Sequence, residues 1–228
     1  MNIRYVLFFV LAMALIRPCL ADGPESPNGS TSTFFTAKSI YQSLRNERLS
    51  FEAFQYAFEG YRKLLDKNIL EKANIITLID FDKASNEDRF FIIDVKNFKI
   101  LFESLVAHGR NSGDEIATSF SNLANSYKSS LGFYLTGETY TGQHGLSLKL
   151  DGLEPGINDN ARARNIVIHS ADYVSQSFIE KNGRLGRSFG CPSLPAENYN
   201  AIIDTIKGKS LLFIYSGKAD YLNKSDYL

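Results

Sequence analysis

Apolar residues change their spacing along this chain near residue 72. Before that point they recur at steps of three and four, the period of one helix face, and Ser50 stands where a helix N-cap is expected. The repeated positions are Phe51, Phe54, Ala57, Phe58, Tyr61 and Leu65. Such a stripe serves either as a packing face or as a surface for a partner or glycan, and the spacing favours packing. Residues 37–72 are therefore predicted to form a helical N-terminal segment.

Beyond residue 72 the apolar residues fall into short runs rich in β-branched and aromatic side chains. Strands are predicted at 74–80, 89–95, 98–102, 132–136, 146–150, 165–169 and 211–215. Lys96 and Asn97 separate the second and third runs and predict a hairpin. Two short helices are predicted at 173–181 and 195–206, with Gly208 just past the second. The predicted fold class is mainly β (α+β), with mixed β-sheets and a few helices.

The first residues have the pattern of an export signal. Arg4 precedes an apolar run at 5–16, and Ala21 ends a small-residue cleavage site, so 1–21 is predicted to be a signal peptide. The run is too short to span a bilayer comfortably. Cys19 raises the alternative of a lipoprotein, which Arg17 and Pro18 directly before it disfavour. The mature chain is expected to have no integral membrane span and to reside in the periplasm or cell envelope.

The remaining boundaries follow from composition. Residues 22–36 are rich in Pro, Gly, Ser, Thr and Asn and are predicted to be a disordered leader. The segment 73–217 is predicted to be one mainly β domain, which the family resemblance described below implies to be catalytic, and 218–228 a C-terminal tail. The 25 basic and 25 acidic residues balance, so composition gives no case for nucleic acid or an anionic membrane as partner. Protein partners are not predicted.

No metal or cofactor is expected. Three histidines and one cysteine in the mature chain are too few for the usual closed zinc site. The Asn- and Asp-containing stretch at 156–160 lacks the regular ligand spacing of a calcium loop and is predicted to be a turn.

A cysteine and a histidine are the candidates for chemistry. His169 ends a strand-like run, and Cys191 follows Gly190, which permits a tight turn and close approach of a substrate. Thiol catalysis needs a base or cation that favours the thiolate, and donors for the oxyanion. The backbone N–H groups of Gly190 and Cys191 are candidate donors. The alternative is that Cys191 is a small buried apolar residue and His169 a structural histidine, and spacing alone leaves both open.

The flanking sequence resembles a known family. The segment IVIHSADYVS followed by GRLGRSFGCPSLP resembles the active-site segment of the murein L,D-transpeptidase catalytic domain family, which has a YkuD-like fold. Further stretches resemble family members in the same order, so that the resemblance covers about 75–216. It implies an acyltransferase that acts on peptidoglycan stem peptides without a cofactor.

The resemblance implies a role for each residue of the motif. Cys191 would be the nucleophile that expels the terminal D-amino acid, and His169 the base or the imidazolium of a thiolate pair. Ser170 matches the position whose backbone carbonyl orients the imidazole, and Ser188 the Ser/Thr of the motif. Gly190, with Cys191, would bind the oxyanion. The thioester would then pass to an amine, which gives a cross-link, or to water.

Two residues depart from the broader family pattern. Phe189 occupies a position where most members have a second histidine, and Ser193 one where Asn or Asp is common. The subgroup that this chain resembles shares an aromatic residue at the first position, so the resemblance does not imply that Phe189 inactivates the protein. Phe189 is expected among the substrate-binding residues. The departure implies that His169 carries more of the activation of Cys191.

Other substrate contacts are predicted from residue type and loop context. Arg184 and Arg187 are candidates to bind stem-peptide carboxylates, against the alternative of two solvated arginines. His108 and His144 lie in Gly-rich loops, where binding residues gather, although a structural role is also open.

The sequence leaves the outcome of the reaction open. An L,D-carboxypeptidase or an amidase-like hydrolase on the same substrate would need the same residues. A catalytically silent peptidoglycan-binding module is a third interpretation, because Phe189 stands where most members have a second histidine.

Overall fold

Two helices begin the described part of the chain, as predicted. They are α1 (Ala37–Leu44) and α2 (Phe51–Asp66), and the side chain of Ser50 caps α2 by accepting a hydrogen bond from the Ala53 N–H. Phe54, Ala57, Phe58 and Tyr61 of the predicted stripe are buried, so its centre is a packing face, as favoured above. Phe51 and Leu65, at its two ends, are exposed. The computed structural model describes residues 36–228. The predicted signal peptide, the alternative at Cys19 and nearly all of the leader lie outside these residues.

Eight strands in the described region form one mixed sheet. They are β1 (Ile75–Asp80), β2 (Phe90–Asp94), β3 (Lys99–Ser104), β4 (Gly132–Gly142), β5 (Gly145–Gly152), β6 (Val167–Ser170), β7 (Ser193–Leu194) and β8 (Leu211–Tyr215). Their order across the sheet is β3-β2-β1-β8-β4-β5-β6-β7. The pairs β1–β8 and β6–β7 are parallel, and the other pairs are antiparallel. The predicted mainly β class with mixed strands is confirmed.

The two ends of this sheet approach each other. Ala107, three residues after β3, pairs with Ser193 of β7 as an isolated antiparallel bridge. The Ala107 N–H donates to the Ser193 carbonyl at 2.9 Å, and the Ser193 N–H donates back at 3.4 Å. The sheet is therefore nearly closed and barrel-like. This bridge also brings the loop after β3 beside the segment that carries Cys191.

Three further helices complete the described chain. They are α3 (Gln176–Asn182), α4 (Tyr199–Ile206) and α5 (Ala219–Leu222). The helix predicted from 195 begins only at Tyr199, because residues 195–198 form a turn after β7 in which Asn198 has a left-handed φ of 58°. Neither β7 nor α5 was predicted, because two to four residues are too few to show a period.

The C-terminal residues belong to the core. Tyr221 and Tyr227 are buried, and the Tyr227 ring lies 5.4 Å from that of Phe133. The buried Glu154 carboxylate accepts hydrogen bonds from the Tyr221 hydroxyl and from Ser225. Residues predicted as a tail are thus anchored to the sheet, and 36–228 belong to one structural unit.

Within residues 36–228, no helix is long and apolar enough to cross a membrane. The same residues contain no group of three or more His, Cys, Asp or Glu side chains placed to hold a metal ion.

Helix α2 reaches the sheet most closely at Gly60. A Cβ there would lie 2.2 Å from the ring of Phe133, which is itself stacked on Phe213 at 4.1 Å between ring centroids. The Phe133 ring is fully buried and packed on both sides, so it has no space into which to move. The absence of a side chain at Gly60 therefore sets how closely the helix packs.

Replacing Gly60 with alanine is expected to destabilise the protein. Alanine favours a helix by up to about 1 kcal/mol over glycine, but overpacking a core costs about 1–3 kcal/mol, so a net loss is expected. Urea unfolding measures it. Gln55→Ala, on the exposed side of the same helix, is the control and should change stability by less than about 0.5 kcal/mol. A Gly60→Ala variant more stable than the wild type would contradict this packing.

Candidate functional site

The turn that carries Cys191 is held by the hydroxyl of Ser188. Its Oγ accepts from the Gly190 N–H at 3.0 Å and donates to the Cys191 carbonyl at 2.6 Å. Gly190 has φ 126°, and a Cβ there would lie 2.8 Å from the Lys128 carbonyl oxygen, so this position requires glycine. The Ser188 side chain thus fixes the geometry of the turn.

The structure changes the expectation for oxyanion donors. The Gly190 N–H is engaged by Ser188 Oγ, so Gly190 shapes the turn and its N–H is not a free donor. The Cys191 N–H donates no hydrogen bond within residues 36–228. Of the two predicted donors, that of Cys191 is the one left available to a substrate.

The thiol of Cys191 lies at the start of β6. Its Sγ is 3.5 Å from the Val167 nitrogen, which donates to it, and 3.5 Å from the Asn165 carbonyl, to which the thiol donates. Burial raises the pKa of the Cys191 thiol, while the Val167 N–H and the charge of Arg164 act in the opposite direction. Burial prevails, so the resting group is the neutral thiol.

His169 is buried and held at both ring nitrogens. Its Nδ1 lies 2.9 Å from the Ser170 carbonyl oxygen, which can only accept, so Nδ1 carries the proton. Its Nε2 lies 3.0 Å from Ser193 Oγ, which donates to it. The Ser193 oxygen in turn lies 3.0 Å from the Tyr173 hydroxyl. The carbonyl of Ser170 therefore orients the imidazole, and the unprotonated Nε2 accepts from Ser193.

The neighbours of His169 favour its neutral form. Burial lowers the pKa of His169, and the nearby His144 lowers it further. The two imidazole rings stack with centroids 4.3 Å apart, so two positive charges there would repel each other. The hydrogen bond to Ser170 acts in the opposite direction but does not prevail. His169 is thus a neutral base at neutral pH.

Cys191 and His169 line one open cavity of about 450 Å³. Its other lining residues are Tyr140, Gln143, His144, Ser147, Arg164, Asn165, Ile166, Val167, Tyr173, Arg187, Ser188 and Phe189. The thiol and the imidazole share no hydrogen bond, because each is bonded to other groups of the described chain. The cavity has the residues needed for acyl transfer by a thiol.

Two of the predicted substrate contacts are wrong. His108 is fully buried outside the cavity, where its Nδ1 accepts from the buried Arg89 at 2.9 Å, and its pKa is lowered to about 4, chiefly by burial. Arg184 lies outside the cavity and pairs with Asp114 at 2.7 Å. Loop context and charge suggested a binding role, but both side chains turn toward partners within the fold.

Three other predicted contacts do line the cavity. Arg187 does so while pairing with Asp114 at 3.1 Å, and His144 does so while stacking on His169. Phe189 is 64% exposed, and its ring contacts that of Tyr127 with centroids 4.9 Å apart. Phe189 therefore lies at the exposed rim of the cavity. The histidine that most family members have at this position would be at the surface here.

Sequence reasoning missed the roles of Ser193, Tyr173 and Arg164. Ser193 stood out only as a departure from a family pattern, yet it bonds the imidazole. The pairing of β6 with β7 sets His169 opposite Ser193, which could not be foreseen without β7. Arg164, 27 positions before the cysteine, gave no sequence pattern that marked it.

Comparison with known proteins identifies the family. The family model for the L,D-transpeptidase catalytic domain matches residues 45–215. No curated protein matches the chain.

Similar solved structures include three from bacteria. An L,D-transpeptidase from Mycobacterium smegmatis is 11% identical, with a TM-score of 0.39 over 63% of this chain and 59% of that one. The helical cell shape determining protein Pgp2 from Campylobacter jejuni is 18% identical, with a TM-score of 0.43 over 69% and 53%. An L,D-transpeptidase from Stackebrandtia nassauensis is 12% identical, with a TM-score of 0.38 over 80% and 77%. This chain spans less than two thirds of the first two.

The family match extends from the loop between α1 and α2 to the end of β8. It includes every residue of the thiol turn and of the imidazole site. The chain belongs to the L,D-transpeptidase catalytic domain family.

Proposed function

We propose that this protein is a peptidoglycan L,D-transpeptidase that works through a cysteine acyl-enzyme. One observation carries the proposal: Cys191, the only cysteine of residues 36–228, lines the same cavity as a neutral, oriented His169. The family acts on peptidoglycan. Stem peptides of peptidoglycan are therefore the proposed substrate. The protein is proposed to act in the periplasm or cell envelope, after cleavage near Ala21.

In the first step the Ser193 hydroxyl rotates away from Nε2, His169 accepts the thiol proton there, and Sγ attacks the carbonyl carbon of the stem-peptide L,D bond. The carbon–sulfur bond forms and the carbon–nitrogen bond breaks. The departing D-amino acid takes the proton from Nε2, so His169 returns to its neutral form. The Cys191 N–H is the proposed donor to the oxyanion that forms in between.

Ser193 suits this proton cycle. A hydroxyl group can donate to the neutral Nε2 and, by rotation, accept from the protonated Nε2–H. Tyr173 supports it, since burial raises the pKa of its hydroxyl, which stays protonated and available to Ser193. Ser193 thereby maintains one hydrogen bond to His169 through both protonation states.

In the second step an amine of a neighbouring stem attacks the thioester, and His169 accepts the proton that the amine loses. The carbon–nitrogen bond forms and the carbon–sulfur bond breaks, and the released Cys191 thiolate takes the proton back from His169. If water attacks the thioester in place of the amine, the protein acts as an L,D-carboxypeptidase or an amidase-like hydrolase. The open form of the cavity admits either acceptor. A silent binding module is the remaining alternative, and it requires no reactivity at Cys191.

A carbapenem is expected to acylate Cys191. Mass spectrometry of the intact protein should show one adduct, and peptide mapping should locate it on Cys191. Cys191→Ala should lose the adduct while keeping the thermal unfolding midpoint, because the side chain is small and half-buried. If no adduct forms while iodoacetamide still alkylates Cys191, the binding module is favoured over the enzyme.

Incubation with defined muropeptides separates the two reactions. The proposed transpeptidase yields cross-linked dimers, detected by mass spectrometry, and Cys191→Ala yields none. If trimmed monomers form and no dimer is detected, the protein is a carboxypeptidase and the proposal of transpeptidation is wrong.

The protonation state of His169 is measurable by NMR. The chain has three histidines, so His108→Gln and His144→Gln assign the resonances by elimination. The pKa of His169 is expected below 6.5, since burial lowers it, and to change little in Cys191→Ala. A pKa above 6.5 that falls when Cys191 is replaced would indicate a thiolate–imidazolium pair and contradict the neutral base.

A further inference from the structure

Arg164 lies half-buried against the thiol turn and is held entirely by neutral groups. One terminal nitrogen donates to the Ser121 carbonyl at 2.8 Å and to Ser130 Oγ at 2.6 Å. The other donates to Ser126 Oγ at 3.2 Å and to the Lys128 carbonyl at 2.7 Å. Within residues 36–228, no carboxylate lies within 4.0 Å of it. Its positive charge is therefore fixed in place and not neutralised by an acid.

Two nearby arginines have acidic partners. Arg162, two residues earlier, forms ion pairs with Glu138 and Asp151. Arg187, which also lines the cavity, pairs with Asp114. Arg164 thus differs from these two arginines in having no counter-charge.

The guanidinium of Arg164 lies beside the turn that carries Cys191. A terminal nitrogen of Arg164 lies 3.4 Å from the position of a Cβ on Gly190, the residue before the cysteine. Asn165, which follows Arg164, has a left-handed φ of 56° and accepts the Cys191 thiol through its carbonyl. The same turn therefore places both the guanidinium and the thiol acceptor.

The remaining ionisable groups in the cavity do not supply this charge. They are Tyr140, His144, His169, Tyr173 and Arg187. His169 is neutral for the reasons given above, and Tyr173 stays protonated because burial raises its pKa, so neither group carries a positive charge. Arg187 is compensated by Asp114. The Arg164 charge, in contrast, lowers the pKa of Cys191.

We propose that Arg164 is a positioning residue whose guanidinium supplies the positive charge that stabilises the Cys191 thiolate. His169 then acts as a neutral proton acceptor and not as the counter-ion. Four neutral acceptors hold the guanidinium in place without cancelling its charge, so the site needs no reorganisation when the thiolate forms. The inference rests on the proposed role of Cys191 as nucleophile.

The pH dependence of alkylation tests this proposal. The full-length protein is treated with iodoacetamide, and the rate at Cys191 is read from its peptide by mass spectrometry, so Cys19 does not interfere. Arg164→Gln is expected to raise the pH midpoint by about 1 and to slow alkylation near pH 8 about tenfold. Arg164→Lys keeps the charge and should retain a midpoint near that of the wild type. Arg162→Gln removes a compensated charge and should leave the midpoint unchanged.

The two Arg164 variants separate charge from structure. Neither lysine nor glutamine can make all four hydrogen bonds, so both are expected to lower the thermal unfolding midpoint. Equal shifts of the alkylation midpoint in both variants, or a shift in neither, would overturn the proposal. His169→Gln gives an independent test: it should leave the alkylation midpoint near that of the wild type, whereas a rise of about 1 would make His169 the counter-ion.

Failure of the proposed function can be distinguished from failure of the inference about Arg164. If the wild type forms no carbapenem adduct but alkylates with the Arg164 dependence described, the nucleophile assignment fails and the electrostatic inference stands. An adduct without any dependence on Arg164 rejects the inference alone.

Discussion

The site depends on one constraint: the backbone of Ser193 pairs with a neighbouring segment on each of its two edges. On one side Ser193 is the parallel partner of His169, and on the other it exchanges backbone hydrogen bonds with Ala107 from the opposite end of the sheet. This nearly closes the barrel and holds the segment of Cys191, two residues earlier, beside the imidazole. Loss of this pairing would separate His169 both from Ser193 and from the thiol.

Activation of the thiol is a balance between burial and fixed charge. Burial raises the pKa of Cys191, and the Val167 N–H and Arg164 oppose the rise. The exposed position of Phe189 fits this balance, because a group at the rim contributes little to the field at a buried sulfur. The two departures from the family pattern thus differ in consequence: Phe189 lies at the surface, whereas Ser193 bonds the base directly.

Periodicity and cap chemistry predicted most of the elements. The stripe of α2 and its cap at Ser50 are local features, as are the short apolar runs that marked β1 and β8. The orientation of the imidazole by the Ser170 carbonyl also followed from the motif, because the contact joins adjacent residues. Predictions failed where elements are very short or where side chains meet partners distant in sequence. Arg184 and His108 illustrate the second case, since charge and loop context do not reveal Asp114 or Arg89.

The sequence by itself determined the mainly β class, the N-terminal helices, the family and the cysteine–histidine pair. Only the tertiary structure decided that Ser188 engages the Gly190 N–H, that Ser193 holds His169, and that Arg164 lines the cavity of the thiol without an acid partner. The physical reason is the range of each interaction. Helix and strand patterns repeat over a few residues, whereas the charge and hydrogen bonding around Cys191 come from segments that meet only when the sheet nearly closes.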